Sequence, residues 1–247
     1  MHRLPKPIQI LLLTAIYLGA WQLLSMLVNS SLLFPSPYET ASSMVRIVQS
    51  AACWRSIGST FLRLLLGFLL GCVLGVLLAV LTARWKTMSF LLSPLRTIVK
   101  TTPITSFILV LFFAVVSNAV PVVVSMIMVV PLVWQATEQA ILAMDPKLDE
   151  MATIYYPALR KLFLVQMPQV LPAFGAAAST ALGFAWKAVI TAEILAFPQF
   201  GIGNEMYNCK VYLDTPDLFA WTILVILCSL LMEFGLKKLL GKRGRAG

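Results

Sequence analysis

Long apolar runs separated by short polar connections dominate the sequence. A helix that crosses the hydrocarbon core of a bilayer needs about 20 mostly apolar residues, and six runs are close to that length. Backbone groups cannot stay unpaired in lipid, and we see no alternating segments of the kind that build transmembrane barrels. The predicted helical spans are residues 8–28, 57–83, 98–116, 119–140, 170–197 and 218–236. The pattern predicts an all-α polytopic bundle, with residues 1–247 forming one transmembrane domain.

The connections add two local predictions. Residues 38–52 follow the helix-breaking run Phe34-Pro35-Ser36-Pro37 and have a weak amphipathic pattern, which predicts a short surface helix. Residues 198–216 contain two prolines and Gly201-Ile202-Gly203, and we expect them to form a loop.

Small residues recur every four positions in the second span. Gly67, Gly71, Gly75 and Ala79 therefore lie on one helical stripe. Such stripes let a second helix approach closely in lipid, so the pattern predicts a helix contact here. It does not identify the helix that makes the contact.

The composition agrees with the span pattern and changes the interpretation of the charge. Hydrophobic residues make up 60% of the chain and charged residues 12%. The formal net charge of +9 could suggest a nucleic-acid partner. However, Lys and Arg gather beside the apolar runs, where they set membrane orientation, and we expect no nucleic-acid binding.

The basic residues predict the topology. If the N-terminus is inside, most of the 19 Lys and Arg residues fall on the inner side. The outer side holds Arg46, Arg55 and Lys210, while Arg63 and Lys187 remain within spans. The positive-inside rule then predicts that both termini and residues 141–167 are cytoplasmic.

The polar segment 141–167 is too polar to span a membrane, and its pattern predicts two short helices. Asp145 can cap the first helix, with Pro146 at its first position. Leu148, Met151, Ala152 and Tyr155 share one face of that helix, and a second helix is expected over residues 158–166. A cytoplasmic insert of this kind is a natural place for a soluble partner to act.

This segment resembles the cytoplasmic loop of the permease subunits of bacterial ABC importers. Glu150, Ala152, Met167 and Pro168 match the family pattern, whereas Met151 and Tyr156 stand where alanine and glycine are usual. Residues 34–37, 59–63, 94–96, 185–193 and 201–203 look like the nitrate, sulfonate and taurine branch in order and spacing. Val116-Ser117-Asn118 departs from that branch, which often has an aromatic–glycine pair.

The resemblance implies a type I ABC importer permease-like fold and a set of partners. These are a second copy of the chain, an ABC ATPase dimer, an extracytoplasmic substrate-binding protein and the lipid of a bacterial inner membrane. The ATPase-coupling residues would be Asp145, Leu148, Glu150, Met151, Ala152, Tyr155, Tyr156 and Pro168. The chain has no G-x-x-x-x-G-K-[ST] phosphate loop, so we expect no enzyme activity and place ATP hydrolysis on the separate subunit.

Charged and polar residues within spans are candidates for the translocation path, because they are costly in lipid. The candidates are Lys187, Glu193, Thr101 and Trp186. Lys187 could attract an anionic solute, form an ion pair or extend toward the interface, while Trp186 could instead be a packing residue. Arg63 is expected to extend toward the outer interface, and Glu138 to be solvated near the inner one.

No cofactor, catalytic residue or metal site is expected. His2 is the single histidine, and the four cysteines lack metal-ligand spacing. Cys53 and Cys209 both fall in outer connections, which leaves a disulfide between them open.

Three functions remain to be compared. An importer permease for a small anion such as sulfonate, taurine or nitrate is favoured, with a vitamin precursor of the thiamine or riboflavin type as the alternative. A secondary transporter would show an internal repeat or several paired mid-membrane charges, and we find no convincing repeat and few such charges. A membrane scaffold is disfavoured by the interrupted spans and by Lys187.

Overall fold

The computed structural model describes residues 6–241, and every regular element in that range is a helix. The prediction of an all-α bundle is confirmed. The helices are α1 (Lys6–Val28), α2 (Pro37–Gln49), α3 (Ala51–Arg84), α4 (Lys86–Thr101), α5 (Ile104–Ala114), α6 (Val120–Leu142), α7 (Pro146–Tyr155), α8 (Ala158–Lys161), α9 (Met167–Ala196), α10 (Ile202–Val211) and α11 (Thr215–Gly241). The predictions for the basic N-terminus and for the tail beyond residue 241 lie outside the described residues.

Six spans are confirmed only in part. Four helical stretches are long and apolar enough to cross a membrane: Ala51–Arg84, Val120–Leu142, Ala158–Ala196 and Thr215–Gly235. The predicted span 98–116 is instead a bent pair, because α4 and α5 meet at an angle of 99°. The break lies at Thr102-Pro103, where proline lacks a backbone donor and disfavours helix in its predecessor. The predicted span 8–28 lies within the 23-residue helix α1, whose apolar stretch Leu12–Val28 is 17 residues long.

Helix α6 lies at the centre of the fold, between α3 and α9. The small-residue stripe of α3 makes the first of these contacts. A Cβ atom added at Gly71 would lie 2.7 Å from Cβ of Val129, and one added at Gly75 would lie 2.9 Å from Cβ of Val133. The predicted helix contact is confirmed, and α6 is the partner.

The bundle has two ends that differ in their connecting elements. At one end, which we call the α10 end, α3 begins, α9 ends, and α10 packs against both. At the other, the α7 end, α3 and α6 end and α9 begins. The predicted surface helix is confirmed as α2, where Ser36 and Glu39 form a reciprocal capping box.

Two boundary predictions are wrong. Residues 198–216 are not a plain loop, because they contain the ten-residue helix α10. Residues 158–166 are not a separate helix, because a π-helical turn, Leu162–Gln166, joins α8 directly to α9. Pro168 lies just after this turn, and the wider turn accommodates a residue that cannot donate a backbone hydrogen bond.

Candidate functional site

A small polar cluster folds the polar segment 141–167 back on itself. The Asp145 side chain caps α7 by accepting a hydrogen bond of 2.9 Å from the backbone nitrogen of Lys147. Farther along α7, one oxygen of Asp149 accepts from Nζ of Lys161 at 2.7 Å, and the other accepts from Nε2 of Gln166 at 2.9 Å. Lys161 also donates to Oγ1 of Thr153 at 2.8 Å. These bonds hold α7 against α8 and the π-helical turn.

This cluster changes the pKa of the Asp149 carboxyl group. Hydrogen bonds from Lys161 and Gln166, together with the positive charge of Lys161, hold the pKa of Asp149 below its ordinary value of 3.8. The ionised form is therefore the one that stabilises the fold of the segment. Asp149 is a structural residue, whereas its neighbour Glu150 is exposed and free of this cluster.

The same segment presents large apolar side chains outward. Of the face predicted for α7, Ala152 is buried, while Leu148, Met151 and Tyr155 are exposed by 48%, 57% and 74%. Ile154, Tyr156, Leu159 and Phe163 extend the exposed apolar surface. A contiguous apolar patch beside charged residues is typical of a protein–protein contact surface.

A second polar cluster lies at the α10 end, around the fully buried carboxylate of Glu193. Thr60 approaches both carboxylate oxygens at 2.9 and 3.0 Å, Nη1 of Arg63 donates at 2.8 Å, and the backbone nitrogen of Gly203 donates at 3.1 Å. We call Glu193, Thr60, Arg63 and Gly203 the Glu193 hub. It joins α9, α3 and α10, so it sets the relative position of three helices.

Arg63 extends the hub to the connections around it. Its guanidinium also donates to the carbonyl oxygen of Phe200 and to Oδ1 of Asn118, the latter at 3.2 Å. The backbone nitrogen of Gln199 donates to the same Asn118 oxygen at 3.1 Å. The expectation that Arg63 extends toward the interface is therefore wrong, because a buried carboxylate on α9 provides a better partner than the membrane surface.

The two glycines of Gly201-Ile202-Gly203 are required by the hub. A Cβ atom at Gly201 would lie 2.6 Å from Cδ of Glu193, and one at Gly203 would lie 2.5 Å from the carbonyl oxygen of Ile190. The sequence showed these glycines, but not that they pack on Glu193. The sequence signal that could have indicated this cluster was an arginine and a glutamate near the same end of two predicted spans.

Lys187 lies on the exposed face of α9, well within the helix. Thr180 and Gly183 are exposed and Thr191 is half-buried at helical spacing on the same face, whereas Ala185 and Val189 are buried on the opposite one. We call Lys187, Thr180, Gly183 and Thr191 the Lys187 stripe. None of the ion pairs formed within residues 6–241 involves Lys187, so the intramolecular ion pair considered for it is absent from the described part of the chain. A polar stripe with a charge on an apolar helix is unfavourable in contact with lipid chains.

Solved structures of ABC transporters have a similar arrangement of helices. The methionine ABC transporter MetNI, in an inward-facing conformation, matches with a TM-score of 0.59 and 17% identity, covering 77% of this chain and 94% of that chain. An amino acid ABC transporter crystallised with histidines matches with a TM-score of 0.54 and 19% identity, covering 76% of this chain and 92% of that chain. No protein-family description and no curated protein matches the sequence.

The chain therefore has the helical fold of these ABC transporter structures. At these identities the comparison establishes the fold alone. Within this fold, Trp186 is 1% exposed and packs on Phe61 with ring centroids 5.5 Å apart. Thr101 is exposed, and its hydroxyl donates to the backbone carbonyl of Thr97 at 2.9 Å. The remaining path candidates, Lys187 and Glu193, therefore differ sharply in exposure.

The structure corrects the expectation for Glu138 and answers the question of a disulfide between Cys53 and Cys209. Glu138 is not solvated: it is 5% exposed and pairs with Arg96 at 2.5 Å, because α4 folds back over α6. The Arg96 guanidinium also stacks on the ring of Trp134 at 4.1 Å. Cys53 and Cys209 are free thiols that line the same 250 Å³ cavity beside α10.

Proposed function

We propose that this chain is the permease subunit of an ATP-driven importer and that a separate ATPase dimer binds the polar segment 141–167. The observation that carries the proposal is the exposed apolar surface of α7 and its neighbours, within a fold shared with ABC transporters. A free-standing helix pair would gain nothing from large exposed side chains, whereas a docking element needs them at its contact surface.

The ATPase-coupling residues divide into two groups in this proposal. Glu150, Leu148, Met151, Tyr155 and Tyr156 are exposed and would contact the ATPase. The other three act indirectly. Asp145 caps α7, Ala152 is buried on its inner face, and Pro168 lies in the first turn of α9. Movement of the ATPase pair would reach α9 through the continuous helix from Ala158 to Ala196.

The docking proposal is tested by reversing the charge at Glu150. Glu150→Arg should abolish co-purification of the ATPase while leaving the thermal unfolding temperature unchanged, since Glu150 is exposed. Gln49→Arg is the matched control, because Gln49 is exposed on α2 at the other end. Normal ATPase retention by Glu150→Arg would contradict the proposal, as would transport by the reconstituted chain without any ATPase.

We also propose that the Lys187 stripe faces a translocation path formed between two copies of the chain. An uncompensated cation in mid-membrane requires water or a partner, and none of the ion pairs within residues 6–241 supplies a partner for Lys187. Thr101 would lie near the same path, while Glu193 and Trp186 would support it from within the bundle. Lys187→Gln should lower transport of an anionic substrate at least tenfold, and Thr180→Ala on the same face should lower it less.

The substrate proposal is a small anion such as a sulfonate, taurine or nitrate, delivered by an extracytoplasmic binding protein. Its support is the cation of the Lys187 stripe. A vitamin precursor is the alternative, which is favoured if Lys187→Gln leaves transport unchanged. The ligand retained by the binding protein encoded nearby would decide between them.

The proposed orientation places the α7 end in the cytoplasm of a bacterial cell. Arg84, Lys86, Arg160 and Lys161 lie at that end, as the positive-inside rule requires. In a variant whose four native cysteines are replaced by serine, a cysteine at Ile154, which is 80% exposed, should resist a membrane-impermeant thiol reagent on intact cells and react after lysis. Labelling on intact cells would overturn both the orientation and the ATPase proposal.

A further inference from the structure

A large cavity lies at the α7 end, between α3, α6 and the beginning of α9. Its volume is about 540 Å³, within the range of about 300–1,000 Å³ that is typical of small-molecule sites. The walls are almost entirely apolar, with Val80, Ala83 and Phe174 among them. A volume of this kind suits a hydrocarbon chain better than a water-soluble solute.

Three polar side chains interrupt the apolar lining, and they differ in exposure and in their hydrogen-bond partners. Arg84, at the last residue of α3, is exposed and forms no ion pair within residues 6–241. Thr137 is 3% exposed, and its Oγ1 has no hydrogen-bond partner in the described part of the chain. Gln166 belongs to the π-helical turn and donates to Asp149.

The unpartnered Thr137 hydroxyl is the unusual member of this set. A threonine within a helix commonly satisfies its hydroxyl on the backbone carbonyl four residues earlier, as Thr82 and Thr101 do here. A buried hydroxyl without a partner costs free energy, and an acceptor supplied by a ligand in the cavity would remove that cost. An ester carbonyl is such an acceptor.

We propose that this cavity binds one acyl chain of an anionic phospholipid, with the headgroup phosphate at Arg84. Basic pockets between transmembrane helices near the membrane surface favour anionic headgroups, and Arg84 supplies a forked donor for a phosphate. The apolar lining takes the chain, and Thr137 donates to an ester oxygen. The proposal does not depend on the transport function, only on membrane insertion.

The position of the site gives it a mechanical consequence. Leu162 and Gln166 of the π-helical turn line the cavity, and the same Gln166 holds Asp149 on α7. A π-helical turn is a strained departure from regular helix and is frequent at functional sites. A bound chain that packs on this turn therefore also steadies α7, which carries the exposed apolar surface.

The test compares two lipids on the purified full chain in detergent. Added phosphatidylglycerol should raise the unfolding temperature by on the order of 5 °C more than phosphatidylcholine, with one tightly bound lipid per chain by native mass spectrometry. Arg84→Gln should lose most of this difference. Lys86→Gln, which alters the nearby cation that does not line the cavity, should keep most of it.

A second variant and a second measurement separate the cavity from the general surface charge. Ala83→Trp fills the cavity and should remove the preference for phosphatidylglycerol, whereas Val73→Trp on the exposed face of α3 should retain it. Hydrogen exchange across residues 146–166 should slow at least threefold with phosphatidylglycerol in the wild-type chain.

Three outcomes would overturn the proposal. Equal stabilisation by the two lipids would show that the headgroup charge is not recognised. Equal losses in Arg84→Gln and Lys86→Gln would show that the effect is diffuse electrostatics. Full stabilisation by inorganic phosphate alone would show a free-anion site in which the apolar cavity takes no part.

Discussion

The two ends of the bundle differ in where they place polar and apolar side chains. At the α10 end, a carboxylate is fully buried and satisfied by a guanidinium, a hydroxyl and a backbone nitrogen, with two glycines packed against it. At the α7 end, polar bonds from Asp149 hold the segment together from within, while large apolar side chains remain outside. The first region satisfies its own polar groups, and the second leaves an exposed apolar surface that we propose a partner covers.

This difference predicts where mutations act. Changes in a buried and fully paired cluster leave charges without partners, so they appear as lost stability. Changes on an exposed surface cost little in the folded chain, so they appear in binding. The following variants test this separation, from the largest expected effect on stability to the smallest.

Glu193→Ala should be the most destabilising single change. It leaves the Arg63 guanidinium largely buried without its carboxylate, which costs on the order of 3–5 kcal/mol for pairs of this kind. Thermal or denaturant unfolding in nanodiscs measures the loss. The control is Glu150→Ala, at an exposed carboxylate, which should change stability by less than about 0.5 kcal/mol. Comparable losses in both variants would remove the distinction between the two ends.

Gly203→Ala should cost about 1–3 kcal/mol, because the added methyl group meets fixed backbone and cannot be accommodated by a side-chain rotation. Gly183→Ala provides the matched comparison within α9, where a Cβ atom would meet nothing within 4 Å. That change should stabilise the helix by up to about 1 kcal/mol. Unfolding measurements that rank the two variants in the reverse order would contradict the packing of α10 on α9.

Tyr155→Ala should leave stability within about 0.5 kcal/mol of the parent chain, since Tyr155 is 74% exposed. The same variant should reduce ATPase retention in a pull-down at least tenfold, because an aromatic anchor is lost from the contact surface. If Tyr155→Ala lowers the stability and leaves ATPase retention unchanged, Tyr155 is a packing residue and the exposed surface is not a docking site.

Acid should loosen the α7 segment with the smallest energetic change. Because the pKa of Asp149 is lowered in the fold, its stabilisation is present above the ordinary value of 3.8 and is lost as the pH falls through the lowered value. Pepsin cleavage within residues 146–161 should therefore increase below pH 3.8. Asp149→Asn, compared at each pH, should be cleaved readily throughout. An identical pH dependence for the two chains would exclude Asp149 as the cause.

The comparison of sequence with structure follows the same division. The cap at Asp145, the helix α7 and the stripe of Gly67, Gly71 and Gly75 were predictable, because capping and helical spacing are local properties. Pro103 lies inside the predicted span 98–116, but no local pattern gives the angle of 99° at which α4 and α5 meet there. Helix α10 was missed because its glycines and nearby prolines favour a loop locally, while packing against α3, α9 and α11 stabilises a helix.

What the amino-acid sequence determined by itself was the chemistry of each segment: apolar runs that must form helices in lipid, and a polar segment too charged to enter it. Tertiary structure decided which side chains meet. Arg63 and Glu193 are 130 positions apart, a separation that no local sequence pattern can relate. Their pairing requires α3 and α9 to converge at one end of the bundle. Burial then makes that pairing obligatory, because a charge removed from water must find its partner within the fold.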